Sequence, residues 1–340
     1  MFMKVSVLGS GAWGTATALL LRDNGHSVKL WSKYDAEAEV LRKTRENPLL
    51  KGVKIPEDIS VVSDLAQAVR DAGAVMIAVP SFAIRETAEA LKDKIAHGCI
   101  VSCMSKGIEK DTSSMFTTIL DGTLGEKALI ASISGPTHAE EVSRRIPSAC
   151  VAASVDIAVA ERVQCLLMNE YLRVYTSTDV IGAELGGALK NVIALSVGIC
   201  QGLGFGDNTV AMLMTRGLAE IAELCVKMGG RKETLAGLTG LCDLIVTCVS
   251  RHSRNRRAGE LIGKGMPALE AMREVGAVVE GYYAANAAVK LAEEMDVDMP
   301  ISGETYKVLY EGKSPMTSMK ELMDRRRKSE LPTGEGAWVT

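Results

Sequence analysis

Short apolar runs rich in β-branched residues alternate with segments of helical composition through the first half of the chain. The β-rich runs predict strands over residues 4–8, 28–31, 74–79, 100–104, 129–134, 149–153 and 172–175, and we expect about eight strands before residue 178. Helical spacing between the runs predicts helices over residues 15–22, 84–95 and 113–124, one that Ser63 or Asp64 caps, and one that Asp156 caps. This alternation indicates an α/β fold with a largely parallel sheet.

The pattern changes at Asp179, after which β-rich runs disappear and helical periodicity takes over. Helices are predicted over residues 180–201, 208–228, 235–248, 254–262, 268–275, 282–295, 303–311 and 315–327. We therefore expect an α/β domain over residues 1–178, an all-α domain over residues 179–330 and a loose tail over residues 331–340. A length of 340 residues agrees with two domains.

Composition and charge narrow the possible partners. The formal net charge of -3 argues against nucleic acid or an anionic membrane surface as the partner and favours small-molecule chemistry. The apolar stretch over residues 185–203 contains a lysine and four glycines, so we expect a buried helix rather than a membrane span. The eight cysteines lack metal-binding or redox spacings and are predicted to be reduced core residues. The N-terminus reads as a strand rather than a secretory signal, which favours the cytoplasm.

The motif GSGAWG over residues 9–14 matches G-x-G-x-x-G. It follows the first predicted strand and opens the first helix of a βαβ unit, where backbone amides and a helix N-terminus can bind a pyrophosphate. A tight turn without a ligand is the alternative. The context favours a dinucleotide site on a Rossmann-type doubly wound sheet.

The end of the second predicted strand bears on the choice of nucleotide. An NAD-preferring fold usually has an acidic residue there, about 20 residues after the motif, to bind the ribose 2'-hydroxyl. This chain has Lys33 and Tyr34 instead, with Asp35 slightly later. Lys33 can pair with a 2'-phosphate, which favours NADP or the use of both cofactors. A solvated surface lysine, or a ribose contact from Asp35, leaves NAD open.

Two charged residues stand alone in apolar surroundings. Lys190 is the only charge in residues 185–203, and Asp243 is the only charge in residues 235–250. Because unpaired burial of either charge costs several kcal/mol, we expect the two side chains to meet. A lysine in such a pocket has a lowered pKa and suits proton transfer near neutrality. A structural ion pair between two helices is the alternative.

Further cations occur at positions that suit anion binding. Lys106 directly follows the strand over residues 100–104, at the sheet edge where α/β folds bind ligands. Residues 251–257 contain four arginines, and Ser253 is predicted to cap a helix there, which together predict a phosphate site. A nucleic-acid patch is the rival interpretation. His138 is the one histidine beside a predicted site, and it has no partner for a catalytic triad.

Seven segments resemble the NAD(P)-dependent glycerol-3-phosphate dehydrogenases in the order that this family has them. They are GSGAWGTA, VSCMSKGIE, SGPTHAEE, ELGGALKNVIAL, GLTGLCDLIVTC, SRNRRAG and VVEG, and they extend over nearly the whole chain. The resemblance implies a Rossmann domain joined to a helical domain, with the active site between them. Ala12 and Thr137 stand where the family often has serine, and Lys33-Tyr34 replaces a pair containing arginine or histidine.

The resemblance also implies roles for individual residues. The implied catalytic residues are Lys190, Lys106 and Asp243. The implied substrate contacts are Lys106, Gly135, Thr137, Asn191, Thr247, Ser253, Arg254 and Asn255. The implied cofactor contacts are Gly9, Ser10, Gly11, Ala12, Trp13, Gly14, Lys33, Tyr34, Lys106, Ala139, Arg254, Val278 and Glu280.

The implied activity is the reversible NAD(P)H-dependent reduction of dihydroxyacetone phosphate to sn-glycerol 3-phosphate. Lys190 would be the general acid and base, no metal would be needed, and the product would supply glycerophospholipid synthesis. We expect a homodimer without nucleic-acid partners or membrane insertion. The alternatives are a related dehydrogenase acting on a hydroxy acid or sugar acid, and a catalytically silent NAD(P)-binding sensor.

Overall fold

The computed structural model of the protein describes residues 2–327 and 329–330. Within them, the first half forms one eight-stranded sheet in the order β3-β2-β1-β4-β5-β6-β7-β8. The strands are β1 Lys4–Leu8, β2 Ser27–Trp31, β3 Ser60–Val62, β4 Ala74–Ile77, β5 Cys99–Cys103, β6 Ala128–Ser134, β7 Ser148–Ala153 and β8 Leu172–Ser177. Strands β1–β6 are parallel, and their order 3-2-1-4-5-6 is that of the Rossmann fold. Strand β7 is antiparallel to β6, and β8 is parallel to β7.

Helices cover both faces of this sheet. They are α1 Ala12–Asp23, α2 Asp35–Thr44, α3 Leu65–Val69, α4 Ile84–Leu91, α5 Phe116–Leu124, α6 Ala139–Val142 and α7 Ile157–Leu167. Alternate residues of β4 enter different core clusters: Ala74 and Met76 pack with α1, and Val75 and Ile77 pack with α4 and α5. The strands are apolar on both faces because both faces are covered.

The regular elements of the second half, within its described residues, are all helices. Its helices are α8 Val180–Gly202, α9 Asp207–Lys227, α10 Lys232–Leu235, α11 Asp243–Val249, α12 Arg254–Gly263, α13 Ala268–Val275, α14 Glu280–Met295, α15 Pro300–Tyr310 and α16 Pro315–Met323. Helix α8 lies at the centre, where every residue from Gly182 to Cys200 is buried. By length and composition α8 could cross a membrane, but 89% of its most apolar window is buried inside the protein. Packing within the core therefore accounts for its apolar sequence, as predicted.

The structure corrects several predicted elements. The helix predicted over residues 235–248 is interrupted, because a π-helical segment, Leu238–Cys242, separates α10 from α11. Helix α5 begins only at Phe116, and α16 ends at Met323 rather than at residue 327. Helix α2 and strand β3 lie in a polar stretch where the pattern predicted no element. The tail predicted over residues 331–340 lies outside the described residues.

The prediction that all eight cysteines are core residues is wrong for Cys165 and Cys242. All eight cysteines are free thiols, and six of them are buried. Cys165, however, is exposed, because it lies on the outer face of α7, whose Val163 and Leu166 point into the core. Cys242 is half-buried in the π-helical segment.

Candidate active site

The glycine loop connects β1 to α1 and leaves its outer side open. Gly9 has a φ of +112°, and a Cβ atom on Gly14 would lie 1.8 Å from the Gly9 carbonyl oxygen, so α1 packs directly on the turn. A Cβ atom on Gly11 would meet nothing within 4 Å. Gly11 is also the N-cap of α1, and no side chain caps that end. The first amides of α1 are therefore available to an anion, and the loop has room for one.

Asn47 holds the glycine loop in place, a role that the sequence patterns did not reveal. Its buried Nδ2 donates to the Ser10 carbonyl at 2.8 Å and to Thr15 Oγ1 at 2.7 Å. Its Oδ1 accepts from the Leu49 amide at 2.9 Å, which is the local turn that asparagine favours. Beside the loop, one apolar cluster brings together three predicted cofactor contacts, Ala12, Trp13 and Ala139.

Lys190 and Asp243 meet as their isolated charges predicted. Lys190 Nζ of α8 donates to Asp243 Oδ1 at 2.5 Å and to Thr247 Oγ1 at 2.6 Å. The side chains of Lys190 and Asp243 are only 7% and 3% exposed. Burial lowers the pKa of the Lys190 ammonium to about 8, although the Asp243 carboxylate opposes that shift. The interruption before α11 matters here, because Asp243 and Thr247 both project from its first turns.

Lys106 reaches the same carboxylate from the α/β domain. Its Nζ donates to Asp243 Oδ2 at 2.8 Å and to the Gly135 carbonyl at 2.6 Å. Thr137 Oγ1 donates to that carbonyl at 3.2 Å. Gly187 of α8 permits this approach, because a Cβ atom there would lie 2.6 Å from Ser134 Oγ, at the end of β6. One carboxylate therefore holds two lysines, one from each domain.

Each of these ammonium groups has one proton to spare. An ammonium carries three N–H donors, and each lysine uses two of them on protein oxygens. Among the described residues no acceptor is found for the third proton of either lysine. Two donors beside one carboxylate can bind and protonate an oxygen that carries developing negative charge.

The predicted phosphate segment begins α12, close to the lysines. Ser253 is its N-cap, as predicted, and accepts from the Arg256 amide at 3.2 Å. Arg254 is exposed at the first position of the helix. Asn255 is buried: its Nδ2 donates to Asn191 Oδ1 at 2.8 Å, and its Oδ1 accepts from the Gly281 amide at 2.8 Å. These bonds fix α8, α12 and α14 around the site.

The other predicted cofactor contacts lie along the carboxyl edge of the sheet. Tyr34 is exposed, and Lys33 Nζ donates to both carboxylate oxygens of Glu86 at 2.8 Å. Glu280, at the start of α14 and two residues after Val278, accepts from Ser81 Oγ at 2.7 Å and so links the two domains. Burial raises the pKa of Glu280, and nearby Arg254 opposes that shift.

Two further groups stand near the lysines without having been assigned a role from the sequence. Burial lowers the pKa of His138, and its Nε2 is a buried atom for which the described residues offer no partner. Glu184 of α8 accepts from the Thr117 amide at 3.2 Å, and burial raises the pKa of its carboxyl to about 7. Glu184 is the only charge in the apolar residues 180–189, so the signal that pointed to Lys190 and Asp243 could have found it as well. His138 carries no such signal, because it lies in a polar segment.

Comparisons with known proteins identify the family of the chain. A family model described as the N-terminus of NAD-dependent glycerol-3-phosphate dehydrogenase matches residues 4–160, and the model of its C-terminus matches residues 179–320. A glycerol-3-phosphate dehydrogenase (NAD(P)+) of Agathobacter rectalis is 48% identical over 328 residues, which are 96% of this chain and 97% of the relative. One from Thermoanaerobacter is also 48% identical and covers 97% of this chain and 99% of its own length.

A solved structure shows the same architecture. Glycerol-3-phosphate dehydrogenase from Coxiella burnetii superposes with a TM-score of 0.91 at 34% identity, covering 95% of this chain and 99% of its own. The two family models together span seven of the eight strands and the helices α8 and α11, which carry Lys190 and Asp243. The chain therefore belongs to the NAD-dependent glycerol-3-phosphate dehydrogenase family and is an NAD(P)-dependent oxidoreductase.

Proposed function

We propose that the protein reduces dihydroxyacetone phosphate to sn-glycerol 3-phosphate reversibly, with Lys190 as general acid in reduction and general base in oxidation. The observation that carries this proposal is the spare N–H of a buried lysine that Asp243 and Thr247 hold in place. The names of the relatives support the substrate and both cofactors.

The glycine loop fits a dinucleotide, because Gly11 faces open space and the N-terminus of α1 has no side-chain cap. When bound, the nicotinamide supplies the hydride in reduction and takes it up in oxidation. We propose that the residues holding the cofactor are Gly9, Ser10, Gly11, Ala12, Trp13, Gly14, Lys33, Tyr34, Lys106, Ala139, Arg254, Val278 and Glu280.

In reduction, Lys190 gives its spare proton to the carbonyl oxygen at C2 of the substrate as negative charge develops there. Lys106 donates its own spare N–H to the same oxygen and stabilises that charge. A pKa of about 8 suits Lys190 to both directions, since the ammonium and the amine are both populated near neutrality. Asp243 keeps Lys190 oriented through their hydrogen bond.

The substrate phosphate binds at the N-terminus of α12. Free amides at a helix N-terminus, together with the exposed Arg254 guanidinium, suit a doubly charged phosphate. Ser253 and Asn255 complete this segment. Gly135, Thr137, Asn191 and Thr247 line the space between the phosphate and the lysines.

A dehydrogenase acting on a hydroxy acid would recognise a carboxylate instead of a phosphate, and a silent sensor would bind the cofactor without turnover. Steady-state reduction of dihydroxyacetone phosphate, compared with a keto acid and measured with NADH and with NADPH, separates these alternatives. Our proposal predicts turnover of the phosphate ester with both cofactors and little turnover of the keto acid.

Lys190→Met tests the role of the lysine in that assay. Loss of a proton-transfer group reduces turnover about 100-fold or more. Lys227→Met is the matched control, because Lys227 is an exposed lysine at the end of α9, and its loss should leave turnover unchanged. Near-normal turnover by Lys190→Met would contradict the mechanism.

We further propose that the α/β domain extends over residues 1–178 and the helical domain over residues 179–330, since β8 ends at Ser177 and α8 begins at Val180. The enzyme would act in the cytoplasm as a homodimer and would supply glycerol 3-phosphate to glycerophospholipid synthesis. Light scattering of the purified protein tests the dimer.

A further inference from the structure

The end of β2 lacks the acidic residue that commonly binds the ribose of NAD, but a carboxylate reaches the same place from another element. Lys33 Nζ donates to Glu86 Oε1 and Oε2, both at 2.8 Å. Lys33 follows β2, and Glu86 lies on α4, which follows β4. Because β2 and β4 flank β1 in the sheet, this ion pair joins the two sides of the strand that carries the glycine loop.

Two other polar side chains at this edge, Ser32 and Glu37, are already engaged with each other. Ser32 Oγ donates to Glu37 Oε2 at 2.9 Å. Asp35, the carboxylate nearest Lys33 in the chain, is exposed at the first position of α2. The Lys33 and Glu86 side chains are 47% and 67% exposed, so solvent and ligands can reach both. A ligand that docks on the glycine loop would meet one cation and one carboxylate together.

We infer that Glu86, paired with Lys33, sets the balance between NAD(H) and NADP(H) in this protein. The inference rests on the proposed binding of the cofactor at the glycine loop. A 2'-hydroxyl can donate a hydrogen bond to the Glu86 carboxylate, whereas a 2'-phosphate must take Lys33 from Glu86 and then lie beside a negative charge. Glu86 therefore favours NAD(H), Lys33 favours NADP(H), and the pair permits both.

The test measures dissociation constants of NADH and NADPH separately, by fluorescence titration without substrate. Glu86→Gln should shift the ratio of the two constants toward NADPH by about tenfold at low salt, because it removes the charge that opposes the 2'-phosphate. Lys33→Gln should shift the ratio toward NADH by a similar factor. Glu86→Asp keeps the charge, so its ratio should lie closer to that of the parent protein than the ratio of Glu86→Gln does.

The pair formed by Lys4 and Asp71 provides matched controls. It is similarly exposed, at 56% and 68%, and it lies at the opposite edge of the sheet, where β1 begins. Asp71→Asn and Lys4→Gln change the net charge as Glu86→Gln and Lys33→Gln do, and they should leave the ratio unchanged within about twofold, since distant exposed charges are screened. A Glu86→Gln ratio equal to that of Asp71→Asn overturns the inference.

The two proposals fail in distinguishable ways. If Glu86→Gln shifts the binding ratio but the parent protein does not reduce dihydroxyacetone phosphate, the inference stands and the proposed function falls. If the parent reduces that substrate while the binding ratio does not move in Glu86→Gln, the function stands and the inference falls.

Discussion

A single carboxylate, that of Asp243, positions both lysines of the candidate site. Asp243 is almost fully buried, and such a charge is tolerated only when strong hydrogen bonds replace its lost water. It receives Lys190 on one oxygen and Lys106 on the other. The two lysines repel each other across it, which contributes to the lowered pKa of Lys190. The arrangement orients both ammonium groups and leaves each with a proton for the substrate.

Thr247 is expected to position Lys190 rather than to react. Its hydroxyl accepts from Lys190 Nζ and donates to the Asp243 carbonyl, both at 2.6 Å. Thr247→Val keeps the shape of the side chain and removes both bonds, so we expect kcat to fall by about tenfold while the protein stays folded. Steady-state kinetics with dihydroxyacetone phosphate measures the effect.

Thr305→Val is the control for Thr247→Val. Thr305 is also buried and donates to the carbonyl of Ile301, four residues earlier in its helix, at 2.7 Å, but it lies on α15 away from the lysines. Thr305→Val should lower the free energy of unfolding about as much as Thr247→Val does, by about 1 kcal/mol, and should leave kcat unchanged. Equal losses of kcat in the two variants would refute the positioning role.

Individual helices are stabilised by hydrogen bonds at their ends. Glu220 of α9 is buried and accepts from the amides of Ile301 and Ser302, at 2.8 and 3.2 Å, so a carboxylate from one helix caps the start of α15. Glu220→Ala leaves those amides buried without a partner and should lower the free energy of unfolding by about 2 kcal/mol or more. Urea denaturation measures it.

Glu223→Ala is the comparison variant, because Glu223 lies on the same helix but is exposed. It should change the free energy of unfolding by no more than about 0.5 kcal/mol. A Glu220→Ala loss as small as that would mean that the cap contributes little.

Elements with strong periodicity could be predicted from the sequence, and those defined by contacts could not. The strands from β4 to β8 and the central helix α8 are apolar runs with clear limits, and all were predicted. Helix α2 was not predicted, because only Ala38 and Leu41 of its ten residues are buried. Strand β3 was not predicted, because three residues are too few to establish a pattern. The break before α11 depends on Gly240, where a Cβ atom would lie 2.1 Å from the Leu235 carbonyl oxygen. Such contacts cannot be predicted from periodicity.

The residues of the candidate site also differ in whether the sequence pattern could predict them. Lys190 and Asp243 could be paired from the sequence because each is the single charge in an apolar run. Asn47 and Glu86 could not be found in this way, because each lies in polar sequence and acts through a partner far along the chain. Residue patterns alone predicted a phosphate site at residues 251–257 and a dinucleotide site at the glycine loop. The resemblance to a known family supplied the roles of the individual substrate and cofactor contacts.

Lys106 and Lys190 come together at the junction of the two domains. The α/β domain supplies Lys106 and Gly135 at its carboxyl edge, and the helical domain supplies Lys190 and Asp243. A second contact, Ser81 with Glu280, joins the domains beside the proposed cofactor site. Burial of Lys190 at this junction lowers its pKa to about 8, which is close enough to neutrality for proton transfer.

The pH dependence of turnover in both directions tests this account most directly. Reduction needs protonated Lys190, so kcat/KM for dihydroxyacetone phosphate should fall as pH rises through about 8, the pKa of the lysine. Oxidation of sn-glycerol 3-phosphate needs the neutral amine and should rise over the same range, and the residual activity of Lys190→Met should show neither change. Profiles that move in the same direction for both reactions, or that persist in Lys190→Met, would contradict the account.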